Sequence, residues 1–268
     1  MERASFFTPK NRLSALVITH NEEANIFRTL SAIQWISNIL ILDSGSIDRT
    51  IDIVNQFKNT RVIYRRFDSF AKQCNFGLEC LSSDWVLSLD ADYVISPQLS
   101  KEISELLSGD LDNYYSFQAY RIGFCYCING KPLRSGLLPP RTCLYERKSA
   151  EYVDIGHGHR VIINGKIGRL RNKIYHDDRK SFAKWLENQQ KYQLTEAKML
   201  QSKDWRVLPI QDLIRKHTFL APFSAFFMCL ILRRGLLDGR EGVVYAFHRL
   251  IAESLLYLYM HGYKDDAQ

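Results

Sequence analysis

Residues 85–93, WVLSLDADY, decide how the rest of the chain is read. Trp85, Val86, Leu87 and Leu89 make a short apolar, β-prone run, the pattern of a buried strand. The run ends in Asp90-Ala91-Asp92. Two carboxylates one residue apart, just past a buried strand, are costly to desolvate without a counter-charge. A divalent cation is one. Hard oxygen ligands favour Mg²⁺ or Mn²⁺, and such sites usually share the metal with substrate phosphates. The carboxyl end of a strand is also where open α/β sheets bind ligands. Two solvated turn aspartates are the competing reading, and the surrounding chain decides between them.

Upstream, strand and helix patterns alternate. Leu13–Thr19, LSALVIT, is a first buried strand. His20-Asn21-Glu22-Glu23 follows, and 24–36 has helical spacing through Ile26, Leu30 and Ile33, with Asn21 as N-cap and Glu22 and Glu23 in the first turn. Residues 39–42 form a second strand ending at Asp43. In the next stretch, 44–50, Gly45 permits a tight turn and Ser46 is expected to cap a helix over 47–57. A strand at 61–64 and a helix at 70–81 lead back to the opening stretch. The alternation predicts an α/β fold with a Rossmann-type, mostly parallel sheet and helices on both faces. Parallel strands end on one edge, so Glu22/Glu23, Asp43 and Asp90/Asp92 are expected to converge there. Converging like charges repel unless ligand donors and a metal offset them. No G-x-G-x-x-G follows the first strand, which argues against a dinucleotide site.

In VITHNEE (17–23), ILDSGSIDRT (41–50) and LDAD (89–92), in that order and spacing, the chain resembles family-2 glycosyltransferases of the GT-A fold. Beyond residue 100 it is similar, more loosely, to the bacterial branch that builds lipopolysaccharide core or other envelope glycans. The resemblance implies a nucleotide-diphospho-sugar donor, a divalent metal (Mg²⁺ or Mn²⁺), a glycan or glycolipid acceptor and an inverting transfer. It implies that Thr19 and Glu22 line the nucleoside pocket, that Asp43 meets the base, that Asp90 lies near the ribose or metal, and that Asp92 binds the metal. Lys72, Gln73 and Asn75 are expected to point toward the donor, with a solvated helix face the competing reading for Lys72.

The second half carries further candidates. Strands are expected at 114–126 and Arg141–Glu146, joined by a basic Gly/Pro-rich loop that reads as acceptor side or as an ordinary hairpin. In Asp154-Ile155-Gly156-His157-Gly158-His159-Arg160, many relatives carry a His-Glu pair with Glu as the base. No Glu stands here, so His157 is taken as the base, with Asp154 second and His159 behind them. After a strand at 166–170, His176 fits the late histidine that GT-A enzymes place on the metal or diphosphate. Asp177 and Asp178 read as caps of a long helix over 181–202.

Composition bounds the rest. The 268 residues are 46% hydrophobic and 24% charged, enough for a sizeable core, and the net charge of +7 suggests an anionic partner. Lys and Arg are scattered with no aromatic-basic stripe, so nucleic acid is not expected. The six cysteines show no zinc spacing, and an N-terminus without a signal-peptide pattern points to reduced cytosolic thiols. The expected organisation is a tail at 1–12, a GT-A domain at 13–202 and an apolar helical appendage at 203–268. Residues 217–232, HTFLAPFSAFFMCLIL, hold no Asp, Glu, Lys or Arg, lie between basic pairs, and are too short to span a bilayer. With the apolar helix at 243–260 they suggest docking on the inner leaflet, a dimer face or a core helix. The expected protein is therefore a cytoplasmic, membrane-peripheral glycosyltransferase. A nucleotidyltransferase and a non-catalytic nucleotide-sugar-binding membrane scaffold are the rivals.

Overall fold

A computed structural model describes residues 12–108, 117–155 and 158–262. In chain order its elements are β1 (Leu13–Thr19), α1 (Ile26–Ala32), β2 (Ile39–Asp43), α2 (Thr50–Val54), β3 (Thr60–Tyr64), α3 (Phe70–Glu79), β4 (Trp85–Asp90), β5 (Tyr93–Ile95), α4 (Pro97–Ser108), β6 (Ala119–Ile128), β7 (Lys131–Pro132), β8 (Arg141–Glu146), β9 (Ala150–Ile155), β10 (Gly158–Ile163), β11 (Ile167–His176), α5 (Phe182–Ser202), α6 (Ile210–His217), α7 (Ala221–Phe227) and α8 (Arg240–His261). They form two compact units. One holds the residues up to Cys125 together with Leu138–Arg179; the other holds Tyr126–Leu137 together with the residues from Lys180 onward. The break thus falls ahead of α5, where the sequence reading placed it after residue 202.

The first unit is built on one sheet in the order β3-β2-β1-β4-β8-β6-β11-β5. β3, β2, β1 and β4 are parallel to their neighbours, and β8 joins β4 antiparallel. The expected parallel sheet is this four-stranded half; the antiparallel half completes the α/β fold. Alternate residues of the parallel strands enter two different cores. Ala15, Val17, Ile39, Ile41, Leu87 and Leu89 pack with α1 and α4, whereas Leu16, Leu40, Leu42 and Val86 pack with α3 and with Tyr152 of β9. Strands buried on both faces read as continuous apolar runs, which is why LSALVIT and ILIL show no alternation.

Local structure departs from the sequence reading at several helix ends. Helix α1 is shorter than 24–36, and Asn21 does not cap it: Asn21 has φ 54°, and the amides of Asn25 and Ile26 bond the Glu22 carbonyl. Ser46 caps nothing either, and α2 starts only at Thr50, whose amide and hydroxyl both donate to Asp48 Oδ1. Helix α3 is capped by Ser69, whose Oγ accepts from the Lys72 amide, and α5 by Ser181, whose Oγ accepts from the Lys184 amide. Asp177 and Asp178 therefore cap no helix. The short strand expected at 166–170 is the start of the ten-residue β11. Residues 114–116 of the strand expected at 114–126 lie outside the described residues.

In the second unit, Ile128 and Leu133 of the β6–β7 hairpin pack with Cys229, Tyr245 and Ala246. Ala197 and Leu200 of α5 pack with Leu208 and with Leu256 of α8. Arg215 joins Glu253 at 2.9 Å and Glu196 at 3.0 Å. Among the described residues no helix is long and apolar enough to cross a membrane.

Candidate active site

Thr19, Asp43 and Asp90 stand along one edge of the first unit's sheet. Thr19 is partnered with Asp43 across β1 and β2, and Ile18 with Asp90 across β1 and β4. Adjacent strands lie about 4.8 Å apart, so these three strand tips span roughly 10 Å. Thr19 is buried, and its Oγ1 has no hydrogen-bond partner among the described residues. A buried hydroxyl in that state is the kind of group a ligand satisfies.

Asp43 holds the turn that follows it. Its carboxylate accepts from the amides of Gly45 (2.8 Å) and Ser46 (2.9 Å) and from the Ser46 hydroxyl (2.6 Å). Gly45 reaches φ 99°, a conformation a side chain would strain. The loop after β1 is laced to this turn. The Asn21 amide donates to Ser46 Oγ (2.9 Å), the Ile47 amide to Asn21 Oδ1 (2.9 Å), the Glu22 amide to Thr50 Oγ1 (2.7 Å), and the Glu23 amide to Asp48 Oδ2 (3.1 Å). HNEE and SGSIDRT are therefore one frame. The Glu22 carboxylate accepts from Asn25 Nδ2 at 2.8 Å and so faces the start of α1.

The second cluster sits past β4. His176, at the end of β11, is partnered with Tyr93 of β5, and its Nε2–H donates to Asp92 Oδ2 at 2.9 Å. Burial alone would lower the imidazole pKa. The charge and hydrogen bond of Asp92, with Asp90 and Asp178, outweigh it and hold the pKa above its ordinary 6.5. Thr29 Oγ1 donates to the Ala91 carbonyl (2.7 Å) and the Asp177 amide to the Asp92 carbonyl (3.1 Å), which fixes the D-A-D turn. Asp177 takes Arg28 and Arg179, and Asp178 takes Asn25, so these two acids tie the end of β11 to α1.

Arg141, which the sequence reading left in the acceptor-side loop, and Asn25, which it did not single out, belong here. Arg141 Nη1 donates to the Tyr93 hydroxyl at 2.9 Å and stands 3.9 Å from Asp90 Oδ2. Burial and the Asp90 charge push the Tyr93 hydroxyl well above its ordinary pKa, so it stays a neutral phenol. Arg141 follows Pro139-Pro140 in what reads as a hairpin, and only the register of β8 beside β4 brings it to the D-A-D turn. Asn25, buried, contacts Glu22, Arg28, Asp178 and the Arg179 amide. Nothing in its sequence context marks it.

Other candidates are placed differently. Lys72 projects into solvent from α3, its Nζ 4.0 Å from Asp68. Gln73 is buried and binds Ser44 Oγ and the Arg65 carbonyl, so it braces the loop after β2. Asn75 holds both the amide and the carbonyl of Tyr152. Of that trio none is turned to the D-A-D turn by any contact. Asp154 is exposed, and its Oδ1 accepts from the Ala71 amide at 3.0 Å in the first turn of α3. His157 lies outside the described residues.

Among the described residues no group of three or more His, Cys, Asp and Glu is arranged to hold a metal ion. Asp92 and His176 are a two-residue set, one carboxylate oxygen and one imidazole nitrogen. That set fits Mn²⁺ or Mg²⁺ when phosphate oxygens and water complete the shell.

The model of glycosyl transferase family 2 matches residues 14–158. The chain belongs to this family. The glycosyltransferase is 26% identical over 262 residues to an uncharacterized glycosyltransferase of Rickettsia felis, spanning 90% of this chain and 87% of that protein. It is 32% identical over 126 residues to the lipopolysaccharide core biosynthesis glycosyltransferase LpsC of Rhizobium meliloti, 44% of this chain and 46% of that one. Of solved structures, it is similar to S. aureus TarS 1–349 in complex with UDP-GlcNAc, with a TM-score of 0.50 and 15% identity over 94% of this chain and 92% of that one. At that identity the likeness is one of fold, and the fold is GT-A. The family sets aside the nucleotidyltransferase reading.

Proposed function

We propose that this glycosyltransferase moves a sugar from a UDP-sugar to a glycan or glycolipid acceptor of the bacterial envelope, with inversion, at the cytoplasmic face of the membrane. The observation that carries the donor reading is the single sheet edge bearing Thr19, Asp43 and Asp90, with Asp92 on His176 beside them. The UDP-GlcNAc held by TarS supports the donor class, and the name of LpsC supports the acceptor class.

In this proposal Thr19 and Glu22 line the nucleoside pocket, the Asp43 turn meets the base, and Asp90 lies near the ribose. Asp92 and His176 hold Mg²⁺ or Mn²⁺, which when bound offsets the negative charge growing on the leaving diphosphate. Arg141 adds a fixed positive charge beside Asp90, and the Tyr93 phenol orients it. The acceptor hydroxyl attacks the anomeric carbon as the bond from that carbon to the diphosphate oxygen breaks. The hydroxyl proton goes to a base, for which His157 stands first and Asp154 second. Asp154 stands second because one of its carboxylate oxygens is already engaged by the Ala71 amide.

The test is UDP release from a panel of UDP-sugars with Mn²⁺, using Asp92→Asn. Turnover is expected to fall by about a thousandfold, and Mn²⁺ affinity, read by titration without donor, is expected to fall with it. Full turnover in that variant breaks the assignment. His157→Ala should lower turnover more than UDP affinity; a loss of UDP affinity alone moves His157 out of the base role.

A further inference from the structure

Between Phe219 and Leu237 the second unit presents an apolar surface to water. Phe219, Phe223, Phe227, Ile231, Leu236 and Leu237 are each more than half exposed. The first four recur every fourth residue along α7 and the π-helical turn at Met228–Leu232, while Pro222, Ala225 and Cys229 face inward. A helix at a protein surface normally carries charges on its outer face. This one is apolar on both sides: from 217 to 232 the sequence contains no Asp, Glu, Lys or Arg. A helix apolar all round is found in a core or in lipid.

The charges around the patch indicate what covers it. From 217 to 240 the exposed charged residues are Arg233, Arg234 and Arg240. The single acid, Asp238, is buried, and its carboxylate accepts from the amides of Arg134 (2.9 Å) and Ser135 (3.0 Å) and from the Ser135 hydroxyl (2.9 Å). Within 217–240 the solvent-facing charge is therefore of one sign, and the acid that follows, Glu241, is held by Lys131 at 2.9 Å. A two-fold pairing of this patch with a second copy would bring arginine rim against arginine rim, and like charges oppose that. An anionic lipid surface matches both parts: the side chains enter the headgroup–acyl boundary and the arginines meet the phosphates. Helix α7 has seven residues, about 10 Å at 1.5 Å per residue, so the segment lies in the interface and does not span.

We propose that residues 219–237 form an interfacial docking surface for anionic phospholipid, with the phenylalanines inserted and Arg233 and Arg234 on the headgroup phosphates. The surface depends on neither the donor nor the metal, so its test is separate from turnover.

The full-length chain is sedimented with vesicles of phosphatidylcholine alone and of phosphatidylcholine with phosphatidylglycerol. The wild type should bind the anionic vesicles and lose binding as salt rises. Arg233→Gln with Arg234→Gln should weaken anionic binding about twenty-five-fold, roughly fivefold per charge, and remove the preference between the two vesicle types. Phe223→Ser with Phe227→Ser and Ile231→Ser, checked for an unchanged circular dichroism spectrum, should lose more than about tenfold on both. The arginine variant changes only exposed groups, so it decides the matter if the apolar variant misfolds. The proposal fails if the wild type ignores anionic vesicles or if neither variant changes binding. It also fails if the wild type is a dimer in solution that the apolar variant converts to monomer without any vesicle binding, which would make a second copy the occupant.

Discussion

Asp92 and His176 are 84 residues apart and meet at 2.9 Å, and that contact makes the metal-free protein sensitive to pH. The folded imidazole pKa lies above its ordinary 6.5, so the charged pair stabilises the fold fully below that value. The stabilisation is lost as pH rises through the raised folded value. The melting temperature of metal-free wild type should thus drop more between about pH 6 and about pH 9 than that of His176→Gln. Parallel pH profiles would remove the pair. At Asp43, mutation to Ala leaves the amides of Gly45 and Ser46 without their acceptor. A cost of about 1–3 kcal/mol in chemical denaturation is expected, with weaker UDP binding by titration calorimetry. The strand-end positions of Asp43, Asp90 and Asp92 were legible, because an apolar run that stops at an acid is a local pattern. Asp177 and Asp178 were misread as caps because their partners Arg28 and Asn25 lie about 150 residues upstream, and no local pattern reports a partner so distant.

Helix α3 shows what an element adds. Its apolar positions at 71, 74 and 78 have helical spacing and are buried against the sheet, so its existence was readable. Its job was not. Gln73 and Asn75, read as donor-facing, are polar braces: one holds the loop after β2, the other the backbone of β9. Asn75→Ala should cost about 1–3 kcal/mol, since two buried backbone groups of Tyr152 lose their partner. Gly77 lies against β1, and a Cβ there would sit 2.6 Å from Leu16 Cδ1. Gly77→Ala should therefore destabilise by about 1–3 kcal/mol in urea unfolding, although alanine is the better helix former. A stabilised Gly77→Ala protein would mean that Leu16 can rotate away.

At the scale of the whole molecule, the groups assigned to the donor lie in the first unit, while Arg215 and its acids lie in the second. Arg215→Met removes one cation from Glu196, Asp212 and Glu253 and leaves Arg249 on Glu253. A loss of about 2–3 kcal/mol in thermal or urea unfolding is expected, with UDP affinity of the folded protein unchanged. A UDP affinity that falls with Arg215 would place this network in the donor's service. The sequence by itself determined the α/β class, the strands β1 to β4, and the carboxylates at their ends. These depend on apolar runs, turn residues and short spacings, all local properties of the chain. Only the tertiary structure decided that β8 joins β4 antiparallel and carries Arg141 to the D-A-D turn, that His176 closes on Asp92, and that α5 belongs with the second unit. Pairing between distant strands is set by how whole faces bury one another, and no short window of residues contains that information.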